Sequence, residues 1–294
     1  MLKNRTFLKP NMLVERFKIP RAAGSREYVD KDGCIRCCKC HEKTRMEVEI
    51  GDGTMIFPTA ICSCRRKELE EQAKLLKESK LNQVRDRIFS SIFSRYKKCN
   101  VNTDDRSNLT LSNCIKKYID NFEKLYNRGQ GLLFYGGTGC GKTFAAAAII
   151  NGVIEQDNIK WHRPYTCCIT NFAVLSDRHL SSNCKVDKVY EQLNSNDLLV
   201  IDDWGVERNT PFMKEIITKV IDIRYNSNKP LIITTNLDVA DILKDLKKIK
   251  ELDRQNLRKM TEDEIYLARI YSRLSEMCVF IHVTGKDRRD HGHT

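Results

Sequence analysis

Residues 136–143 have the sequence GGTGCGKT, in which four glycines precede a lysine and a hydroxyl side chain. They match the pattern G-x-x-x-x-G-K-[ST], whose glycines allow successive backbone N–H groups to surround a phosphate. Lys142 is expected to reach the β- and γ-phosphates of ATP, and the Thr143 hydroxyl to bind Mg²⁺. The predicted nucleotide-binding residues of this loop are Gly136, Gly137, Thr138, Gly139, Cys140, Gly141, Lys142 and Thr143.

Two carboxylates directly follow an apolar run at residues 198–201, which predicts a buried strand. Asp202 and Asp203 would then lie at the carboxyl end of a strand, where open α/β sheets bind their ligands. We expect Asp202 to contribute to the Mg²⁺ shell and Asp203 to orient or deprotonate the attacking water. The acidic pair therefore predicts an ATPase that depends on Mg²⁺.

Further residues suit the hydrolysis of a phosphate ester. Asn236 follows another apolar run and is expected to hold the lytic water or sense the γ-phosphate, with an ordinary turn residue as the alternative. Arg269 and Arg273 are spaced i,i+4 on one helix face, and Arg273 is the candidate finger for a neighbouring subunit's site. Arg224 competes for that role, and a surface salt bridge is the other interpretation of Arg273. Arg289 is the predicted phosphate sensor near the C-terminus.

The cysteines are clustered, since six of the 13 fall between residues 34 and 64. In a reducing compartment such clusters indicate metal ligation, and paired cysteines suit a tetrahedral Zn²⁺ site that stabilises a segment with little core. The predicted zinc ligands are Cys37, Cys40, Cys62 and Cys64. Cys34 forms an equal C-x-x-C with Cys37, so Cys34, Cys38 and His41 stay open as ligands. Free cysteines in a flexible arm are the alternative to a metal site.

The elements that must position these residues alternate between strands and helices. Apolar runs at 132–135, 198–201, 231–233 and 279–281 are separated by helical stretches, which predicts a parallel sheet covered on both faces. Ser112, Thr210 and Thr261 are predicted helix caps, the last in a capping box with Glu264. We therefore expect an α/β P-loop domain at 99–294, preceded at 1–98 by a small zinc-binding and helical N-terminal module.

Composition narrows the class of protein. The formal net charge is +12, which favours a polyanionic partner without deciding for nucleic acid by itself. No apolar run approaches the ~18 residues of a membrane span, and the basic N-terminus precedes no apolar segment of a secretory signal. We expect a cytoplasmic protein with no membrane partner.

Five blocks in a fixed order resemble the DnaC/DnaI helicase loaders, a subfamily of the AAA+ ATPases: GGTGCGKT, LLVIDDWG, IDIRYNSNKPLIITTNL, RIYSRL and VTGKDRR. The resemblance covers roughly residues 79–289 and implies an AAA+ ATPase that places the hexameric replicative DNA helicase on single-stranded DNA. It also implies self-association through the ATPase domain, with the helicase bound by the N-terminal part. Zinc-binding N-terminal modules also occur in DnaI-like and phage loaders. Residues 238–261 form a longer stretch than is usual in that subfamily, and Trp204 replaces an aliphatic residue.

Two other functions fit part of the pattern. A transposition ATPase of the IstB type has a similar P-loop domain, although the cysteine-rich module argues against it. A zinc-dependent nucleic-acid-binding regulator would bind ATP with little turnover. Binding to a transposase would favour the first of these alternatives, and undetectable ATP hydrolysis in the presence of DNA would favour the second.

Overall fold

The computed structural model describes residues 26–46, 48–49, 51, 53–56, 58–89, 91–104, 108–160, 164–181, 186–205, 210–239 and 261–285. The chain forms two compact units, Met1–Lys80 and Leu81–Thr294. This division lies earlier than the 98/99 boundary expected from the polar stretch after Lys98. The physical reason is that Phe89 and Phe93 are buried in the main apolar core of the second unit.

The first unit contains two small antiparallel hairpins and most of a long helix. Strand β1 (Glu27–Val29) pairs with β2 (Ile35–Cys37), and β3 (Val48–Glu49) pairs with β4 (Met55–Ile56). Helix α1 (Ser63–Ile88) has 26 residues and begins directly after Cys62. The turn between β1 and β2 is fixed by Asp30, whose carboxylate accepts the backbone N–H groups of Asp32 and Cys34.

The second unit is built on a five-stranded parallel sheet in the order β6-β7-β8-β5-β9. Its strands are β5 (Gly131–Tyr135), β6 (Cys167–Asn171), β7 (Leu198–Trp204), β8 (Leu231–Thr235) and β9 (Cys278–His282). Four of these contain the predicted apolar runs, which confirms the parallel sheet. Strand β6 was not predicted, because its sequence CCITN combines two cysteines with polar residues.

Helices cover both faces of this sheet among the described residues. They are α2 (Leu109–Asp120), α3 (Phe122–Asn127), α4 (Lys142–Lys160), α5 (Phe172–Ser181), α6 (Val186–Ser195), α7 (Pro211–Asn226) and α8 (Glu262–Met277), with a 3₁₀ helix at Ser91–Tyr96. Alternate residues of β5 enter opposite cores, Leu132 and Phe134 on one face and Leu133 on the other. Within the described ranges, no helix combines the length and apolarity needed to cross a membrane.

The helix caps were predicted correctly in two cases out of three. Thr210 caps α7, and Thr261 with Glu264 forms the capping box of α8. The prediction for Ser112 was wrong, because Asn108 is the N-cap of α2. Ser112 instead lies within the helix, where its hydroxyl donates to the backbone carbonyl of Asn108 at 3.0 Å.

Candidate active site

The glycine-rich loop connects the end of β5 to the start of α4, as its sequence predicts. Gly136 has φ +141°, and a Cβ atom there would come within 2.2 Å of the carbonyl oxygen of Val283. No residue with a side chain fits this position without displacing the chain that follows β9. The loop then leads into the N-terminus of α4, where backbone N–H groups and the helix dipole favour an anion.

Lys142 lies inside the loop, with only 5% of the residue exposed. Its ammonium group donates to the carbonyl oxygens of Gly136 at 3.0 Å and Gly137 at 2.6 Å. A phosphate oxygen would be a stronger acceptor for this cation than a neutral carbonyl. The lysine is thus positioned to exchange loop carbonyls for phosphate oxygens when a nucleotide binds.

The acidic pair lies where β7 departs from regular pairing with β8, between Ile201 and Trp204. Asp203 has φ +55° and is exposed, whereas Asp202 is buried at 5% exposure. The hydroxyl of Thr234 donates to the Asp202 carboxylate at 2.6 Å and accepts the backbone N–H of Asp203 at 2.9 Å. The irregularity therefore directs the two carboxylates into different surroundings, one buried and one open.

Burial raises the pKa of Asp202, and the hydroxyls of Thr234 and Thr143 partly offset that effect by donating to the carboxylate. Asp202 and Thr143, the two predicted Mg²⁺ ligands, are thus neighbours. A hydroxyl and a carboxylate supply the oxygen donors that Mg²⁺ requires. A cation at this position would offset the cost of burying the carboxylate.

A cavity of about 350 Å³ lies in front of the loop. It brings together Lys142, Thr143, Asp203 and Asn236, which were predicted separately from three parts of the sequence. Gly136, Gly137 and Cys140 belong to the loop without lining the cavity. The residues around the cavity are Arg95, Tyr96, Thr138, Gly139, Gly141, Lys142, Thr143, Phe144, Asp203 and Asn236.

Arg95 and Tyr96 were missed by the sequence analysis. They lie at the end of the 3₁₀ helix, where the Arg95 guanidinium donates to the Tyr96 hydroxyl at 2.6 Å and stands 4.7 Å from the ring centroid. Phe89, Phe93 and Tyr96 continue the helical apolar spacing of the preceding segment. That spacing predicts that the segment packs on the α/β domain, but it does not predict that the segment lines the nucleotide cavity.

The candidate arginines have different surroundings. Arg273 forms an ion pair with Asp222 of α7 and does not line the cavity of its own chain. Arg269 has 62% of its side chain exposed, and lies 3.9 Å from the same carboxylate.

Arg224 is only 1% exposed and donates to the carbonyl oxygens of Asn196, Asp197 and Pro230. Burial lowers its pKa to about 10. A side chain enclosed in this way cannot reach a neighbouring subunit, so Arg224 is removed as a candidate finger. Arg289 lies outside the described residues, as does most of the long stretch 238–261.

Four cysteine sulfur atoms converge in the first unit. Those of Cys37, Cys40, Cys62 and Cys64 all lie within 4.8 Å of one another. The Cys64 sulfur is 3.4 Å from Cys37 and 3.5 Å from Cys62, too far for disulfide bonds. Tetrahedral zinc with bonds of ~2.3 Å separates its sulfurs by roughly 3.8 Å, so the group fits a Zn²⁺ ion after a small adjustment.

The other possible ligands lie apart from this group. Cys34 and Cys38 are not among the converging sulfurs, and the His41 ring nitrogen Nδ1 hydrogen-bonds the Tyr28 hydroxyl at 2.9 Å. The pKa of Cys37 is lowered to about 6 because backbone N–H groups of Cys40 and Lys39 donate to its sulfur. The pKa of Cys40 is also lowered, because the backbone N–H of Glu42 donates to its sulfur, whereas hydrogen bonds with Cys37 and Cys62 raise the pKa of Cys64 to about 12. Cysteine binds metal as the thiolate, the form that is favoured at Cys37 and Cys40.

Comparisons with known proteins agree with this geometry. The model of the family described as IstB-like ATP binding protein matches residues 74–250. The replicative helicase loader DnaI of Bacillus subtilis (strain 168) is 24% identical over 235 residues, which cover 78% of this chain and 67% of DnaI. The replicative helicase loader DnaC of Escherichia coli (strain K12) is 28% identical over 145 residues, which cover 48% of this chain and 55% of DnaC. The chain thus spans about two thirds of DnaI and about half of DnaC.

A solved structure supports the fold. A chain described as a candidate primosome component from Streptococcus pyogenes serotype M3 has a TM-score of 0.50 and 18% identity, covering 70% of this chain and 97% of that chain. At this identity the likeness concerns the fold alone. The predicted parallel α/β fold and the resemblance to helicase loaders are confirmed.

Proposed function

The chain belongs to the family of IstB-like ATP-binding proteins, and from this premise we propose that it hydrolyses ATP and loads a hexameric replicative helicase onto single-stranded DNA. The cavity carries the enzymatic part of the proposal. The glycine-rich loop, an exposed carboxylate and an amide surround one space, with a buried carboxylate beside the loop hydroxyl. These groups match the parts that ATP hydrolysis requires.

Each of these residues has a separate role in ATP hydrolysis. Lys142 leaves the loop carbonyls to bind the β- and γ-phosphates. Thr143 and Asp202 would hold Mg²⁺, which would supply positive charge to offset the charge developing on the phosphates. The Asp203 carboxylate, exposed at the cavity, orients the attacking water and accepts its proton. Asn236 holds that water or senses the γ-phosphate. We place the nucleoside beside Arg95 and Tyr96, which line the same cavity as the loop.

Assembly completes the catalytic site in this proposal. Arg273 leaves its ion pair with Asp222 and reaches the γ-phosphate bound by a neighbouring subunit, where a guanidinium stabilises the transition state. Arg289, which lies outside the described residues, keeps its proposed role as sensor of the phosphates of the nucleotide bound to its own chain. Because the finger comes from another subunit, hydrolysis depends on self-association through the ATPase domain.

The remaining parts of the proposal concern partners. The +12 formal charge suits single-stranded DNA, whose phosphates attract basic surfaces. Zinc bound by the four cysteines stabilises the first unit, which engages the helicase. The names of the relatives DnaI and DnaC favour the loader over an IstB-type transposition ATPase and over a zinc-dependent regulator with little turnover.

A binding experiment tests the loader function. The purified full chain, carrying zinc, is mixed with the replicative helicase of its source cell in the presence of ATP, ADP or no nucleotide. We expect a complex in at least one state and transfer of the helicase to a single-stranded DNA circle. Absence of association in all three states would remove the loader function. Association with a transposase instead would support the IstB-type alternative.

A further inference from the structure

Asn151 of α4 is a polar side chain in an apolar surrounding, since every residue from Ala145 to Ile150 is buried and apolar. It is itself only 1% exposed. Its amide oxygen accepts from the Nε atom of Arg85 at 3.1 Å. Its amide nitrogen donates to the carbonyl oxygens of Tyr96 at 3.3 Å and Cys99 at 2.7 Å. Both ends of the amide are thus engaged, which offsets the cost of burying it.

The two carbonyls belong to the segment that forms one wall of the nucleotide cavity. Tyr96 ends the 3₁₀ helix and lines the cavity together with Arg95. A short 3₁₀ helix has poor internal hydrogen bonds, so contacts with the rest of the fold determine its position. Phe93, which is 3% exposed, supplies an apolar anchor, and Asn151 supplies the polar one.

Asn151 thus makes two sets of contacts, which we call its arms: one to the carbonyls of Tyr96 and Cys99 and the other to Arg85. The Arg85 guanidinium contacts Asn151 and also pairs with Glu155, one turn further along α4. This arm fastens the last turns of α1 to α4 and makes none of the contacts to Tyr96 or Cys99. The two arms can therefore be separated by substitution.

We propose that Asn151 is a positioning residue for nucleotide affinity, whose amide holds Tyr96 and Arg95 where they contact the nucleoside of bound ATP. The proposal rests on the proposed function, since it concerns a wall of the same cavity. Among the described residues, the hydrogen bonds of Asn151 go to Arg85, Tyr96 and Cys99 and to none of the phosphate-binding residues. Its contribution is therefore specific to ligands that carry a base and a sugar.

The test compares ATP with inorganic tripolyphosphate, which offers the same phosphates without a nucleoside. Asn151→Asp keeps the size of the side chain and an acceptor for Arg85 but removes both N–H donors facing the carbonyls. Arg85→Lys alters the other arm, and Asn113→Asp introduces the same charge on an exposed face of α2. Dissociation constants for both ligands are measured on the full chain with Mg²⁺.

We expect Asn151→Asp to weaken ATP binding about tenfold, the equivalent of roughly 1.4 kcal/mol, and to leave tripolyphosphate binding within about twofold. Arg85→Lys and Asn113→Asp should leave the ratio of the two affinities unchanged. An equal loss for both ligands would overturn the proposal, because it indicates general damage to α4. Unchanged ATP affinity in N151D would overturn it as well.

A second measurement covers the case in which the buried carboxylate prevents folding. Asn151→Ala and Tyr96→Ala are combined in a double-mutant cycle on ATP affinity. We expect the losses of ATP affinity to be less than additive in the double variant, because part of the Asn151 contribution acts through the Tyr96 side chain. Fully additive losses would contradict this. A folded wild-type chain that binds neither ATP nor tripolyphosphate would instead remove the proposed function itself.

Discussion

The two units of the chain are stabilised by different means. In the second unit, strands and helices enclose apolar side chains on both faces of a parallel sheet. In the described part of the first unit, the buried residues are Cys37, Thr44 and Cys62. The larger unit is thus stabilised by packing around an apolar core, whereas the described part of the smaller one has little core of its own. We propose that a metal bound by its four cysteines supplies the missing stability, so that an apolar core and a metal would serve the same purpose in one chain.

The largest expected effect concerns hydrolysis and leaves the first unit untouched. Lys142→Ala should reduce ATP hydrolysis to background, because the cation that contacts the transferred phosphate is lost. The zinc content and the circular dichroism of the variant should match those of the wild type. Retained turnover, measured by phosphate release with single-stranded DNA present, would place catalysis elsewhere.

The reverse experiment acts on the first unit. Cys62→Ser should lower the zinc content well below one ion per chain and unfold the first unit, because structural zinc supplies the folding energy of small modules. Hydrogen exchange should show lost protection around β1 and β2 and unchanged protection in β5 and β8. Cys38→Ser, which changes an exposed cysteine outside the converging group, is the matched control. Equal zinc content in both variants would contradict the assigned ligand set.

Two arginines separate packing from catalysis within the second unit. Arg224→Ala should lower the free energy of unfolding by about 3 kcal/mol or more, because three carbonyl groups lose their buried donor. Arg273→Ala should lower it by no more than about 1 kcal/mol, as expected for a partly exposed ion pair. Denaturant titration of both variants measures the difference, and equal losses would contradict it.

Arg273 should differ from Arg224 in having a direct role in ATP hydrolysis. Arg273→Ala should keep ATP binding and lose about 10³-fold in hydrolysis in the assembled state, the scale of an arginine finger. Normal turnover of the assembled variant would exclude Arg273 as the finger.

The smallest expected effect tests whether His41 is one of the zinc ligands of the first unit. His41→Ala removes the hydrogen bond to Tyr28 and should leave the zinc content unchanged. Metal analysis of the purified variant gives the answer directly. A loss of zinc comparable with that of Cys62→Ser would show that histidine belongs to the site.

The sequence predicted the groups whose chemistry depends on local spacing. The glycine-rich loop and the acidic pair could be assigned because each motif lies at the end of one strand. The choice of Cys37, Cys40, Cys62 and Cys64 agrees with the sulfur atoms that the fold brings together. In each case residue type and spacing along the chain contain most of the information.

The remaining features depend on contacts between distant segments, which spacing does not encode. The carbonyls bound by Asn151 are 55 and 52 residues away in sequence. The Arg224 guanidinium is satisfied by carbonyls from the link between α6 and β7 and from the residue before β8. Strand β6 pairs with β7 along its whole length but contributes only Cys167 and Ile169 to the buried apolar core, too few for an apolar run in the sequence.

The most direct measurement is calorimetric titration of the folded, zinc-loaded chain with ATP, with and without Mg²⁺. The account predicts saturable binding of one nucleotide per chain, with higher affinity in the presence of Mg²⁺. Asp202→Asn should weaken this binding only when Mg²⁺ is present, and Lys142→Ala should abolish it. A folded chain that binds no ATP in the presence of Mg²⁺ would contradict it.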